Sequence, residues 1–266
     1  VASVGDNCVD RYQGELQLEL AGGNALNVAA GLAAAGLDSH YLGAVGNDDD
    51  GNLILASARA GDVDTSRVKR LDLPTGVTIV ALGPDGDREF LEERHGASSA
   101  YRPDAADVAF LRDCAWVHCV NLDEPEPLVR ALEGVRLSYD FGVDGVDGLA
   151  ERLAPGIEIA FFSAAGQERD RALELGRLAV GAGAGMAVVT RGRSGSMAIS
   201  GTVHEVAAVP VEVVDTLGAG DALIAGVIAA RLAGLDTEAA LAAGTAAAAR
   251  TCTHFGAWQP GEGAAA

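Results

Sequence analysis

The chain has 266 residues, 49% of them hydrophobic and 21% charged, which fits one globular α/β domain with a small appendage. Its 38 acids against 19 bases leave a net charge of −19, which argues against nucleic acid or an anionic membrane as a main partner. The only lysine, Lys69, sits between Val68 and Arg70 without a glycine-rich loop, so a Walker-type phosphate loop is excluded. Cys8, Cys114, Cys119 and Cys252 make no Cys-x-x-Cys pair and are expected as free thiols in a reducing cytoplasm. No segment is long and apolar enough to span a bilayer.

Residues 1–4 form an apolar first strand ending at Gly5. Residues 11–20 alternate Leu16, Leu18 and Leu20 with polar residues, the pattern of a half-buried strand. Gly22-Gly23-Asn24 opens a helix over 25–35 that Gly36 terminates. A strand over 40–45 and a capped helix over 48–60 follow. Strands over 75–82 and 88–92 flank Pro84-Asp85-Gly86-Asp87, a hairpin signal.

Strands over 116–120, 137–141, 157–162 and 186–190 then alternate with helices over 125–133, 146–153 and 167–181. Such alternation predicts an α/β fold with a doubly wound, mostly parallel sheet flanked by helices on both faces. Residues 197–200 and 202–206 read as another hairpin. Val211, Val213 and Val214 read as a strand, and 222–232 and 238–252 as closing helices. Segments 11–21 and 72–95 break the βα rhythm. They are expected to form a small β-sheet lid over a core of 1–10, 22–71 and 96–266.

Asp215-Thr216-Leu217-Gly218-Ala219-Gly220-Asp221 is the most informative stretch. The amides of Gly218, Ala219 and Gly220 would lie at the positive end of a helix dipole, an arrangement that binds an anion such as phosphate. A carboxylate at Asp221 would repel that anion unless it faces a second reactant and accepts a proton from an attacking hydroxyl. Anion hole plus base is the minimum equipment for phosphoryl transfer to an alcohol. Close strand–helix packing would explain Gly-Ala-Gly alone, but not acids at both ends together with a second Gly-Asn constellation upstream. Ligands of open parallel sheets bind outside the carboxyl ends of the strands. Asp6 and Asp10, Gly22, Gly23 and Asn27, Asp140, and Thr190-Arg191-Gly192-Arg193-Ser194-Gly195 all fall at such ends.

Together these residues resemble the ribokinase/PfkB carbohydrate kinase family. Gly22-Gly23-Asn24-Ala25-Leu26-Asn27-Val28-Ala29 is similar to its N-terminal signature, and residues 215–221 to its C-terminal signature. The resemblance covers essentially the whole chain and implies a ribokinase-like fold whose lid closes over sugar and ATP. It implies Asp221 as catalytic base and Gly218, Ala219 and Gly220 as anion hole. Asp10, Gly22, Gly23 and Asn27 map to the sugar side. Thr190, Gly192, Gly195 and Gly244 map to the nucleotide side, with Arg191 and Arg193 as phosphate contacts against an equal reading as solvated turn residues.

ATP and Mg2+ are implied. Asp215 matches a position that helps bind a monovalent cation (K+) in some members, with a turn-stabilising acid as the equal alternative. The family's Asn-x-x-Glu, which helps organise Mg2+, is replaced by Phe162-Ser163-Ala164-Ala165-Gly166-Gln167-Glu168, leaving Ser163 with Gln167 or Glu168 as substitutes. Within the family, Gly5-Asp6-Asn7-Cys8-Val9-Asp10 and Phe255-Gly256-Ala257-Trp258 resemble fructoselysine 6-kinases. The expected reaction is therefore transfer of the γ-phosphoryl group to a primary hydroxyl of a sugar or sugar-amine conjugate, with Asp6 meeting a substrate ammonium. The alternatives are a fructose, ribose, ketodeoxy sugar acid or nucleoside acceptor, or a non-catalytic sugar or nucleotide sensor. The face carrying Leu16, Leu18 and Leu20 permits a homodimer through the lid.

Overall fold

Short apolar strands and amphipathic helices alternate along the computed structural model, which describes residues 1–14, 17–82, 88–143 and 148–259. The first half runs β1 (Ala2–Val4), β2 (Cys8–Tyr12), β3 (Glu19–Gly22), α1 (Asn24–Ala34), β4 (Ser39–Leu42), β5 (Ala44–Gly46) and α2 (Asp49–Ala60). β6 (Val63–Asp64), β7 (Lys69–Leu71), β8 (Val77–Leu82), β9 (Arg88–Arg94), α3 (Gly96–Ser99) and α4 (Ala105–Arg112) follow. Next come β10 (Val117–Val120), α5 (Pro125–Ala131), β11 (Leu137–Val143), α6 (Leu149–Leu153), β12 (Ile159–Ser163) and α7 (Arg169–Ala182). The chain closes with β13 (Met186–Thr190), β14 (Ser196–Ile199), β15 (Val203–Val206), α8 (Ala219–Leu232) and α9 (Thr237–Thr251).

The large sheet has the order β15-β14-β13-β12-β11-β10-β1-β4-β6. It is parallel from β13 to β6, and β14 and β15 are antiparallel at one edge. Central strands are apolar on both sides because both sides are covered. Ile159, Phe161, Met186 and Val188 pack with α8 and α9, while Ala160, Phe162, Ala187 and Val189 pack with α5, α6 and α7. The expected doubly wound architecture is what the chain adopts.

The small sheet has the order β3-β2-β8-β9. Its strands β2 and β3 bring Asp10 and Gly22, expected on the core side of the boundary, into the small sheet. Residues 11–20 are not one strand but the distal part of a hairpin, with Glu19 opposite Arg11. Alternation of leucines reports a buried face and carries no information on where the chain reverses. Leu18 and Leu20 pack against Tyr12, Val80 and Leu217, where lid meets core. Leu16, the turn at Pro84-Asp85-Gly86-Asp87 and the first residues of the helix expected from Val146 lie outside the described residues.

Two further expectations are corrected. The strand over 40–45 divides at Gly43, and β5 leaves the large sheet to pair with β7. Val211, Val213 and Val214 form no strand: Val211 and Val213 are 37% and 42% exposed, and the Val214 amide bonds to the Cys252 carbonyl. The turn at 215–221 is reached by an extended run after the antiparallel edge strand β15.

The Asp48 carboxylate ties the small sheet to α2. Asp48 caps α2 through the Gly51 amide (2.9 Å) and accepts from the Thr75 amide (2.8 Å) and hydroxyl (2.6 Å), just before β8. Burial alone would raise the Asp48 carboxyl, but the Thr75 and Gly51 donors outweigh it and hold it below its ordinary value. A carboxyl depressed in the folded state adds stability above its unfolded pKa, and that stability is lost as pH falls through the folded value. Asp48→Asn should therefore lower stability by about 1–2 kcal/mol at neutral pH. The difference from the parent should narrow below roughly pH 4. Denaturant titrations across pH measure this, and a gap that stays constant into acid would refute the linkage.

Candidate active site

The site is built where two helices begin side by side. A Cβ on Gly31 would come 2.7 Å from the Cβ of Ala225, so these small residues let α1 and α8 touch. One turn earlier in each helix, Asn27 Nδ2 donates to Asp221 Oδ2 at 2.8 Å, and both side chains are buried. The Trp258 indole donates to Asn27 Oδ1 at 3.2 Å.

The turn before α8 needs glycine. Gly218 has φ 74°, and a Cβ there would overlap the Cβ of Ala257 at 2.2 Å. Around Gly220 the space is open, and no side chain caps α8. The Ala219 amide makes only a long bond, 3.3 Å, to the Thr216 carbonyl. This helix N-terminus therefore carries no side-chain cap, the backbone condition for anion binding.

Asp215 is fully buried and accepts from the Leu217 amide (2.9 Å), the Gly256 amide (2.9 Å) and the Tyr12 hydroxyl. Of its two expected roles, the turn-stabilising acid is the one these contacts describe. Burial, with the hydrogen bond to Asp215, pushes the Tyr12 hydroxyl well up, so it stays protonated and donating.

On the expected sugar side, Asp10 is buried on β2 and lies over Gly22, whose Cβ would sit 1.9 Å from Asp10 Oδ2. Gly23 has φ 100°, and a Cβ there would reach 2.3 Å from the Cα of Asn7. Both glycines are demanded by protein packing as much as by any ligand. Asp6, half-buried, accepts from the Asn24 and Ala25 amides at the start of α1 and from Asn121. At the end of β11, burial pushes the Asp140 carboxyl up to about 6; the Gly142 amide opposes that rise and the nearby Asp6 adds to it.

On the expected nucleotide side, Thr190 ends β13 and Gly192 (φ 55°) and Gly195 (φ 87°) shape the turn into β14. A Cβ on Gly195 would overlap the Val206 carbonyl at 2.0 Å. Arg193 lies within this turn, and Arg191 is 3.4 Å from Glu205, which Arg169 also binds. A Cβ on Gly192 would be 3.4 Å from Ala165, so the segment lacking the family's Asn lies beside this turn. Exposed Glu168 begins α7 there. Among the described residues no group of three His, Cys, Asp or Glu could hold a metal. The residues expected to substitute for the family's Asn-x-x-Glu, Ser163 with Gln167 or Glu168, include one carboxylate, so an Mg2+ there would have to bring its remaining ligands as phosphate oxygens and water.

Gly244, expected on the same side, is a helix-packing glycine. It is buried between α9 and α8, where a Cβ would lie 2.7 Å from the Leu223 carbonyl and from Val227 Cγ2. Its neighbour Thr245 bonds Ser196, fastening α9 to β14. Sequence reasoning had no role for Tyr12 or for Gly256 and Trp258. The only signal was their place in a lid strand and in a quoted terminal motif.

The model of the pfkB family carbohydrate kinase matches residues 12–124 and 157–262. The chain belongs to the PfkB family of carbohydrate kinases. It is a sugar kinase. A fructoselysine 6-kinase of Shigella flexneri is 36% identical over 97% of this chain and 99% of its own length. The fructosamine kinase FrlD of Bacillus subtilis is 34% identical over 96% and 92%. The fold is that of a ribokinase from Thermotoga maritima, with a TM-score of 0.83 at 18% identity over 98% of this chain and 96% of that one. An Arabidopsis thaliana ribokinase complexed with ribose and ATP gives 0.80 at 23% identity, over 96% and 93%.

For this kinase, Gly244→Ala should cost about 1–3 kcal/mol of stability through overpacking. The KM for ATP of the folded enzyme should stay within a few-fold of the parent. A large rise in that KM at unchanged stability would show that Gly244 acts on the nucleotide and not through helix packing.

Proposed function

We propose that this kinase phosphorylates the primary hydroxyl of a sugar joined to an amine, a fructoselysine- or fructosamine-type acceptor, with Asp221 as the base. The observation that carries the chemistry is the buried Asp221 carboxylate in the first turn of an uncapped helix, held by Asn27. The acceptor class is supported by full-length relatives named for it at 34–36% identity.

The acceptor hydroxyl gives its proton to Asp221 as its oxygen attacks the γ-phosphorus in line. One oxygen–phosphorus bond forms, the bond to the β-phosphate oxygen breaks, and ADP leaves with that electron pair. The amides at Gly218, Ala219 and Gly220 face the charge that develops on the transferring group. Mg2+, when bound with ATP, neutralises phosphate charge, and Glu168 is the carboxylate that would hold it. Asp10, Gly22, Gly23 and Asn27 form the acceptor side, and Thr190, Gly192 and Gly195 the nucleotide side. Lid closure excludes water, so that ATP is not simply hydrolysed.

A cytoplasmic setting suits the four free thiols. Phe90 and Leu91, 44% and 50% exposed on the edge strand β9, suit pairing of two lids in a homodimer. Sedimentation should show a dimer that Leu91→Lys weakens, and a monomer at all concentrations would remove that pairing.

Coupled ADP release over fructosamines, fructose, ribose, ketodeoxy sugar acids and nucleosides tests the acceptor. The fructosamines should give the highest kcat/KM. Asp221→Asn should cut kcat by about 10²–10⁴-fold, the range for a lost general base, with acceptor binding by calorimetry nearly unchanged. Near-parental turnover in that variant would eliminate Asp221 as the base.

A further inference from the structure

Asn27 meets the proposed base through an amide, and the two ends of an amide have opposite effects on a carboxylate. The NH2 end stabilises the anion by donating to it. The oxygen end repels the anion and favours the protonated acid. Asn oxygen and nitrogen are hard to tell apart by shape, so a third group must decide which end faces Asp221. Trp258 supplies that decision. Its indole N–H can only donate, and it lies 3.2 Å from one end of the Asn27 amide, which must then be the oxygen. The NH2 end is left for Asp221 Oδ2 at 2.8 Å.

We propose that Trp258 is a positioning residue for catalysis: it fixes the Asn27 amide so that the base is held ionised and aimed. This rests on the reading of Asp221 as the base. The indole is itself fixed. A Cβ on Gly61, at the end of α2, would lie 2.9 Å from Trp258 Cζ3, so the ring packs flush on a position with no side chain. The two preceding residues are pinned as well. Gly256 donates its amide to Asp215, and Ala257 lies against Gly218. The terminal segment thus reaches the helix start at one point and the base's partner at another.

The other titratable or charged groups on the elements around Asp221 are Asp6 beside the start of α1, Cys8, Asp10, Arg11 and Tyr12 on β2, Asp215 in the turn, Arg231 on α8, Glu238 and Arg250 on α9, and His254 before the terminal segment. None changes in a Trp258 variant. A change in pH dependence between parent and variant therefore reports the amide.

The test is the pH profile of kcat/KM for Trp258→Phe, together with Trp258 replaced by 3-benzothienylalanine, which keeps the bicycle and puts sulfur where the N–H was. With no donor, the amide is free to turn its oxygen toward Asp221. The acid limb should move up by roughly half to one pH unit, a loss of about 3- to 10-fold on that limb, while the alkaline plateau stays near the parent's. The benzothienyl variant should reproduce the shift even if Trp258→Phe folds poorly. A drop by the same factor at every pH in both variants would show that Trp258 only packs, and would overturn the proposal while leaving the base in place. Full activity in Asp221→Asn would instead remove the base, and this inference with it.

Discussion

The buried carboxylate of Asp215 is the constraint on which the rest of the site depends. A carboxylate taken out of water costs several kcal/mol unless its oxygens are satisfied. Here the satisfying groups come from three separate parts of the chain: Tyr12 on the lid, Leu217 in the turn and Gly256 near the end. Each of those donors loses its partner if the others shift, so the three segments are held as one unit. The Leu217 bond sets the turn, and the turn places Gly218 in the left-handed conformation from which α8 starts. The Tyr12 bond anchors the base of the lid hairpin beside the same turn. The position of the small sheet and the geometry of the Gly218 turn are thereby coupled through the Asp215 side chain.

The alternation of β and α in the second half was legible because strands covered on both faces read as apolar runs bounded by glycine, proline and charge. The hairpin within residues 11–20 was not, since a leucine alternation looks the same whether the chain continues or turns back. The valines at 211–214 misled for a related reason. Alternating β-branched residues mark a strand only if a partner strand lies alongside, and partner availability is a tertiary fact.

For the site, residues 215–221 and 22–27 were readable because unusual backbone demands leave glycine as the only residue that fits. Yet glycine records crowding without naming what crowds it. At Gly22 the neighbour is the Asp10 carboxylate, at Gly23 the Asn7 backbone, at Gly195 the Val206 carbonyl and at Gly244 the facing helix. Sequence reading assigned all four to a ligand. Tyr12 and Trp258 escaped because each acts through one polar atom on a mostly apolar ring, about 200 residues or more from its partner in the chain. No local pattern encodes such a contact.

The same distinction explains why only one of two adjacent helix N-termini is open to phosphate. α1 and α8 begin close together, joined through Asn27 and Asp221, and each dipole attracts negative charge at its start. At α1 the protein supplies that charge itself, because Asp6 accepts from the amides of Asn24 and Ala25. Both helices have a glycine at the N-cap, Gly23 and Gly218, and Gly218 cannot gain a side chain without striking Ala257. An acid placed near Gly218 would fill the second N-terminus as Asp6 fills the first. The carboxylate that the helix does carry, Asp221, lies within its first turn and is turned toward Asn27 on α1. Under the proposed mechanism the amides at Gly218 to Gly220 stay clear of the protein's own acids, and one acid lies where a hydroxyl loses its proton. Such a division of two helix starts, one filled by Asp6 and one bare, is what the proposed nucleotide site requires in a protein of net charge −19.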